Sequence, residues 1–122
     1  MEINKKVIEQ MKKIAENEGY KEISVNINKK TPLTIEGIKG HFAPEILCYK
    51  KEKIKAIITF IKSLEKDEFS KLTLFIDFVN KNNLSLYITY NEQENSQEKI
   101  IQKFIEEGIE ISKNINIIAI SI

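Results

Sequence analysis

Residues 84–122, LSLYITYNEQENSQEKIIQKFIEEGIEISKNINIIAISI, decide the fold class. The segment 84–90, LSLYITY, is short, β-branched and aromatic, the composition of a strand. Asn95 followed by Glu98 has the spacing of a capping box and opens a helix carrying Ile100, Ile101, Phe104 and Ile105. Gly108 closes that helix, and residues 115–122, INIIAISI, form a last strand. Strands joined through a helix pair in parallel with a right-handed crossover, so this end of the chain predicts part of a parallel sheet.

Upstream, residues 64–81 have helical spacing, with Leu64, Phe69, Leu72, Phe75, Ile76 and Val79 on one side and Asn82-Asn83 as the stop. Residues 45–50, EILCYK, and 53–61, KIKAIITFI, read as a hairpin joined at Lys51-Glu52. The second of these strands is apolar on both faces past Lys55, which suits the centre of a sheet. Residues 29–43 hold two of the four glycines and read as a long loop, with a short strand around Leu33–Ile35. Residues 20–28 alternate, Ile23, Val25 and Ile27 against Ser24, Asn26 and Asn28, as a half-buried strand does. Residues 3–17 place Ile3, Val7, Ile8, Met11, Ile14 and Ala15 on one helical face, and Gly19 ends that helix. The expectation is an α/β fold of order α-β-β-β-α-β-α-β, a mixed sheet with helices on both faces, in one domain over residues 1–122.

The composition narrows the function. The chain has 122 residues, 42% hydrophobic and 30% charged, with a net charge of +1, enough apolar material for one core. No apolar run approaches the ~20 residues of a membrane span, and MEINKKVIEQ lacks the apolar stretch of a secretory signal. A single cysteine, Cys48, fits a reducing compartment, and the expected location is cytoplasmic. With one histidine and one cysteine, a zinc site is not expected. All 19 basic residues are lysine, so bidentate arginine contacts to guanine are not available.

Residues 40–63, GHFAPEILCYKKEKIKAIITFIKS, carry a resemblance. Gly40-His41, then Pro44-Glu45, an apolar strand and a hairpin partner resemble the core of the PD-(D/E)xK nuclease superfamily, the restriction-endonuclease-like fold, in its archaeal form. The resemblance implies a magnesium ion held by two carboxylates from adjacent strands, with a lysine close to the attacking water. The first acid falls on Glu45, the second on Thr59 and the lysine position on Ile61. Thr59 and Ile61 supply neither a carboxylate nor an ammonium, so the resemblance implies ancestry in a nuclease fold and loss of the usual site.

A hydrolytic chain would have to rebuild the site. Lys62 is adjacent to the motif but faces the other side of a regular strand, and only a bulge would turn it inward. Glu9 and Glu16 on the first helix are the candidate partners of Glu45 as metal ligands, and His41 is a candidate base or ligand. Each has an ordinary structural alternative as a solvated side chain. Lys29, Lys30, Lys39, Lys50, Lys51, Lys53 and Lys55 cluster in the loop and hairpin, which the resemblance places on the side facing DNA. They equally suit a solvated edge. Cys48 reads as a small buried hydrophobe, and Tyr20, Tyr49, Tyr87 and Tyr90 as packing residues that could also stack on bases.

Three functions follow as expectations. The first is a degenerate, non-catalytic nuclease-like domain that needs no cofactor and binds nucleic acid or a protein. The second is a magnesium-dependent DNA endonuclease with migrated ligands. The third is a structural module that dimerises through its last strand.

Overall fold

The structure, a computed structural model, describes residues 5–25 and 44–122. Its elements are α1 (Lys5–Asn17), β1 (Glu22–Val25), β2 (Ile46–Lys50), β3 (Lys53–Phe60), α2 (Lys66–Asn82), β4 (Ser85–Asn91), α3 (Gln97–Glu106) and β5 (Ile115–Ile120). The strands form one mixed sheet in chain order, β1 to β5. The pairs β1–β2 and β2–β3 are antiparallel, and β3–β4 and β4–β5 are parallel. The expected central strand, β3, is third of five. The loop at 29–43, its short strand and the end of the strand at 26–28 lie outside the described residues.

The period of two along each strand sorts the core into two layers. Leu47, Ile57, Ile61, Leu86, Ile88, Tyr90 and Ile115 face α2 and α3, which contribute Phe69, Leu72, Phe75, Val79, Ile100 and Phe104. Ile46, Cys48, Ala56, Ile58, Phe60, Tyr87 and Ile120 face α1, which contributes Val7, Ile8, Met11 and Ala15. The helices therefore cover opposite faces, as the element order leads one to expect. The side-chain amide of Gln10 in α1 also donates to the carbonyl of Ser121 beyond β5.

The three expected helix stops share one geometry. Gly19, Asn83 and Gly108 each have positive φ. Tyr20 N–H then donates to Ala15 O at 3.0 Å, Leu84 N–H to Val79 O at 2.9 Å and Ile109 N–H to Phe104 O at 2.8 Å. These bonds satisfy carbonyls that the last helical turn leaves open.

Some boundaries differ from expectation. The cap of α3 is Ser96, whose hydroxyl accepts from Lys99 N–H at 3.2 Å. Asn95 instead closes a turn on Asn91 O at 3.0 Å, so the Asn95–Glu98 capping box does not form. Serine does the same work one residue later. β5 ends at Ile120, and α2 begins at Lys66 rather than Leu64. The hairpin turn is Lys51-Glu52 as read, with φ of 51° and 66° at the two residues. This is the left-handed pair that two-residue hairpins require, here without glycine or asparagine.

Candidate functional site, a buried carboxylate pair around Lys71

Register brings Glu45 opposite Thr59. The pair Ile46–Ile58 sets the alignment, and Glu45 lies one residue before β2. The Thr59 hydroxyl donates to Glu45 Oε2 at 2.8 Å, and Phe60 N–H points at Glu45 Oε1 at 3.5 Å. Thr59 is held in turn, because the Thr89 hydroxyl of β4 donates to its carbonyl at 2.9 Å. Glu45 and Thr59 are both buried, at 6% and 0% exposure.

The remaining parts come from α2. Lys71 is 6% exposed, and its ammonium lies 2.7 Å from Glu68 Oε1 and 3.9 Å from Glu45 Oε1. It also donates to the carbonyl of Phe60 at 3.5 Å. The other Glu68 oxygen, Oε2, accepts from Lys62 N–H at 2.5 Å. Each carboxylate is thus held at its Oε2 by a protein donor, and Glu45 Oε1 also meets Phe60 N–H. Each turns its other oxygen toward the same ammonium.

Burial pushes the Glu45 carboxyl above the ordinary carboxylate range. Lys71 offsets part of that rise, and the Thr59 hydrogen bond offsets less. An unpaired buried carboxylate would cost several kcal/mol. Lys71 is the largest of the influences that favour the charged form of Glu45.

The candidate residues divide sharply. Glu45 and Thr59 meet, and Ile61 packs on the same face in the apolar layer under α2. Lys62 reaches the cluster through its backbone N–H, while its charge is the weakest of the influences lowering the Glu45 pKa. Glu9 and Glu16 are exposed on α1, whose packed face lies against the opposite side of the sheet from Glu68 and Lys71. They do not join Glu45. Among the described residues, no group of three or more His, Cys, Asp or Glu side chains could hold a metal ion. His41, Lys29, Lys30 and Lys39 lie outside the described residues.

Lys50, Lys51, Lys53 and Lys55 are exposed, and they sit at the far end of the hairpin. Five residues along β2 separate Lys50 from Glu45, about 17 Å of strand. β4 pairs with β3 only from Ala56 onward, so Lys53, Ile54 and Lys55 extend past it. A register shift between Cys48 and Tyr49 leaves Lys55 as the extra residue of the hairpin. The Lys50 ammonium lies 5.0 Å from the centre of the Tyr20 ring. Tyr87 and Tyr90 are buried, and Cys48 is a buried thiol that burial pushes up to about 12.

Glu68 and Lys71 were legible in principle. The buried stripe of α2 runs through Phe69, Leu72, Phe75, Ile76 and Val79, with Lys71 buried at its flank and Glu68 half-buried one turn earlier. Two opposite charges three residues apart on a buried stripe are the signal, and a reading that counts only apolar residues passes over it.

Among the described residues, no helix is long and apolar enough to cross a membrane. Comparison of the chain with protein-family models, curated proteins and solved structures finds no match.

Proposed function

We propose that this chain is a nuclease-like domain of the restriction-endonuclease-like type that binds nucleic acid and does not cleave it. One observation carries the reading: the Lys71 ammonium sits between Glu45 and Glu68, buried, where a hydrolytic site of this type would hold a metal ion. Phosphodiester hydrolysis draws on a metal ion to stabilise charge growing on the phosphate. A lysine bound on two carboxylates already satisfies them and leaves no water in a metal's coordination shell.

The binding surface in this reading is the hairpin end at Lys50, Lys51, Lys53 and Lys55. With Glu52, residues 50–55 carry four positive charges and one negative. Lysines on a projecting turn suit phosphate contacts without base readout, and such binding weakens steeply with salt. Neither the carboxylate cluster nor a metal takes part in it.

The test uses the whole chain with supercoiled, linear and branched DNA, each with magnesium or manganese. The expected result is salt-dependent retention without cleavage, with retention lost in the double variant Lys51→Glu, Lys53→Glu. Metal-dependent cleavage that disappears in Glu45→Ala would overturn the reading in favour of an endonuclease. Absence of retention, with a stable dimer by light scattering, would favour a structural module joined through β5, which lies at the sheet edge.

A further inference from the structure

The oxygens around Lys71 form a cation position in their own right. Glu45 Oε1, Glu68 Oε1 and the Phe60 carbonyl lie 3.9, 2.7 and 3.5 Å from its nitrogen. They come from three places: the entry to β2, the first turn of α2 and the end of β3. The opposite oxygens of the two carboxylates are pinned by Thr59 and by Lys62 N–H. Each carboxylate thus already turns an oxygen toward the centre, and the Glu45 oxygen and the Phe60 carbonyl have to close in by about 1 Å to reach calcium–oxygen distance.

We propose that this is a one-cation site whose occupant is the chain's own ammonium, and that shortening residue 71 converts it into a site for a hard divalent cation, calcium above all. Two carboxylates around an empty centre repel each other, and a divalent ion neutralises both. Calcium accepts irregular oxygen shells at ~2.3–2.6 Å and takes up water for the rest. Three protein oxygens from uneven directions fit that tolerance. Magnesium demands near-octahedral oxygens at ~2.0–2.1 Å and fits this set worse. An alanine at 71 also vacates the length of the lysine stem, which is the room the waters would occupy. The proposal rests on the reading that Lys71 fills the carboxylate pair, and it concerns the ligand that pair can hold.

The experiment compares the whole wild-type chain with Lys71→Ala, titrated with calcium and, separately, magnesium and manganese. Calorimetry and thermal unfolding are the readouts. The wild type is expected to show no saturable binding and no shift in Tm. Lys71→Ala is expected to bind one calcium ion and to gain Tm with it, with magnesium weaker than calcium. The gain is expected to vanish in Lys71→Ala, Glu68→Gln. If Lys71→Ala is unfolded without metal, calcium is expected to restore its circular dichroism, and no recovery overturns the proposal. A folded Lys71→Ala that ignores all three ions overturns it equally. Binding in Lys71→Ala that persists with Glu68→Gln places the ion elsewhere and also overturns it. These outcomes are separate from the DNA assay: cleavage by the wild type would defeat the proposed function, whereas a metal-indifferent Lys71→Ala defeats only the cation site.

Discussion

At one end of the β2–β3 hairpin, Glu45 is sealed in with Lys71 and Glu68; at the other, Lys50, Lys51, Lys53 and Lys55 stand in solvent. The same two strands carry both. At the sealed end each charge is fixed by named partners, and low local dielectric makes every contact matter. At the open end water and salt screen the lysines, so their positions are cheap to change and their value lies in what they meet. Charge at the first end is a matter of stability, and charge at the second is, in the proposed function, a matter of association.

The contrast can be broken most forcefully at Lys71. Lys71→Met should destabilise the fold by about 3–5 kcal/mol, read by urea unfolding, because it leaves the buried Glu45 and the half-buried Glu68 without a cation. A loss under 1 kcal/mol would mean that the sealed end is no different from the surface. Thr59→Val keeps the volume close and removes the donor to Glu45 Oε2; a loss of about 1–3 kcal/mol is expected for a buried acceptor left without its donor. The open end should respond in the other direction. Replacing Lys51-Glu52 by Asn-Gly relieves two left-handed residues and should raise stability by about 1–2 kcal/mol in the same assay.

The smallest effect sharpens the comparison through pH. Burial raises the folded-state pKa of Glu45 above its unfolded value, so the folded protein binds the proton more tightly. The resulting stability is present below the ordinary carboxylate range and is lost as pH rises through the raised pKa. Glu45→Gln should flatten that part of the stability–pH curve, with Lys71 still paired to Glu68, as followed by Tm from acid to neutral pH. An unchanged slope would assign the titration to another group.

Much of this architecture is written in periodicity. The apolar run of β3 past Lys55 marked a central strand, and Gly19, Asn83 and Gly108 marked the helix ends because left-handed backbone selects few residue types. The Thr59 and Ile61 positions came from the spacing of the motif; the two-residue turn alone would set Glu45 opposite Ile58, and the register shift between Cys48 and Tyr49 moves it to Thr59. The charges Glu68 and Lys71 could be noticed beside the apolar stripe of α2, but their meeting with Glu45 could not be read, because the Glu45–Lys71 contact joins residues far apart in sequence with no local signature. Glu9 and Glu16 were natural candidates as acids on a helix, but nothing in residues 3–17 says which sheet face that helix covers. Likewise the lysines of 50–55 adjoin Glu45 in sequence, and only the extended strand between them carries them away.

The Glu45–Thr59 pairing also solves an ambiguity that greasy residues cannot. Sliding β2 against β3 by two positions would keep every apolar side chain in its own layer. It would not keep the acid beside its hydroxyl or within reach of the helix ammonium, and a buried carboxyl group would lose its partners. The ion cluster therefore works as a key that admits a single alignment of the two ribbons, a task left to it whether or not the domain ever touches a phosphate.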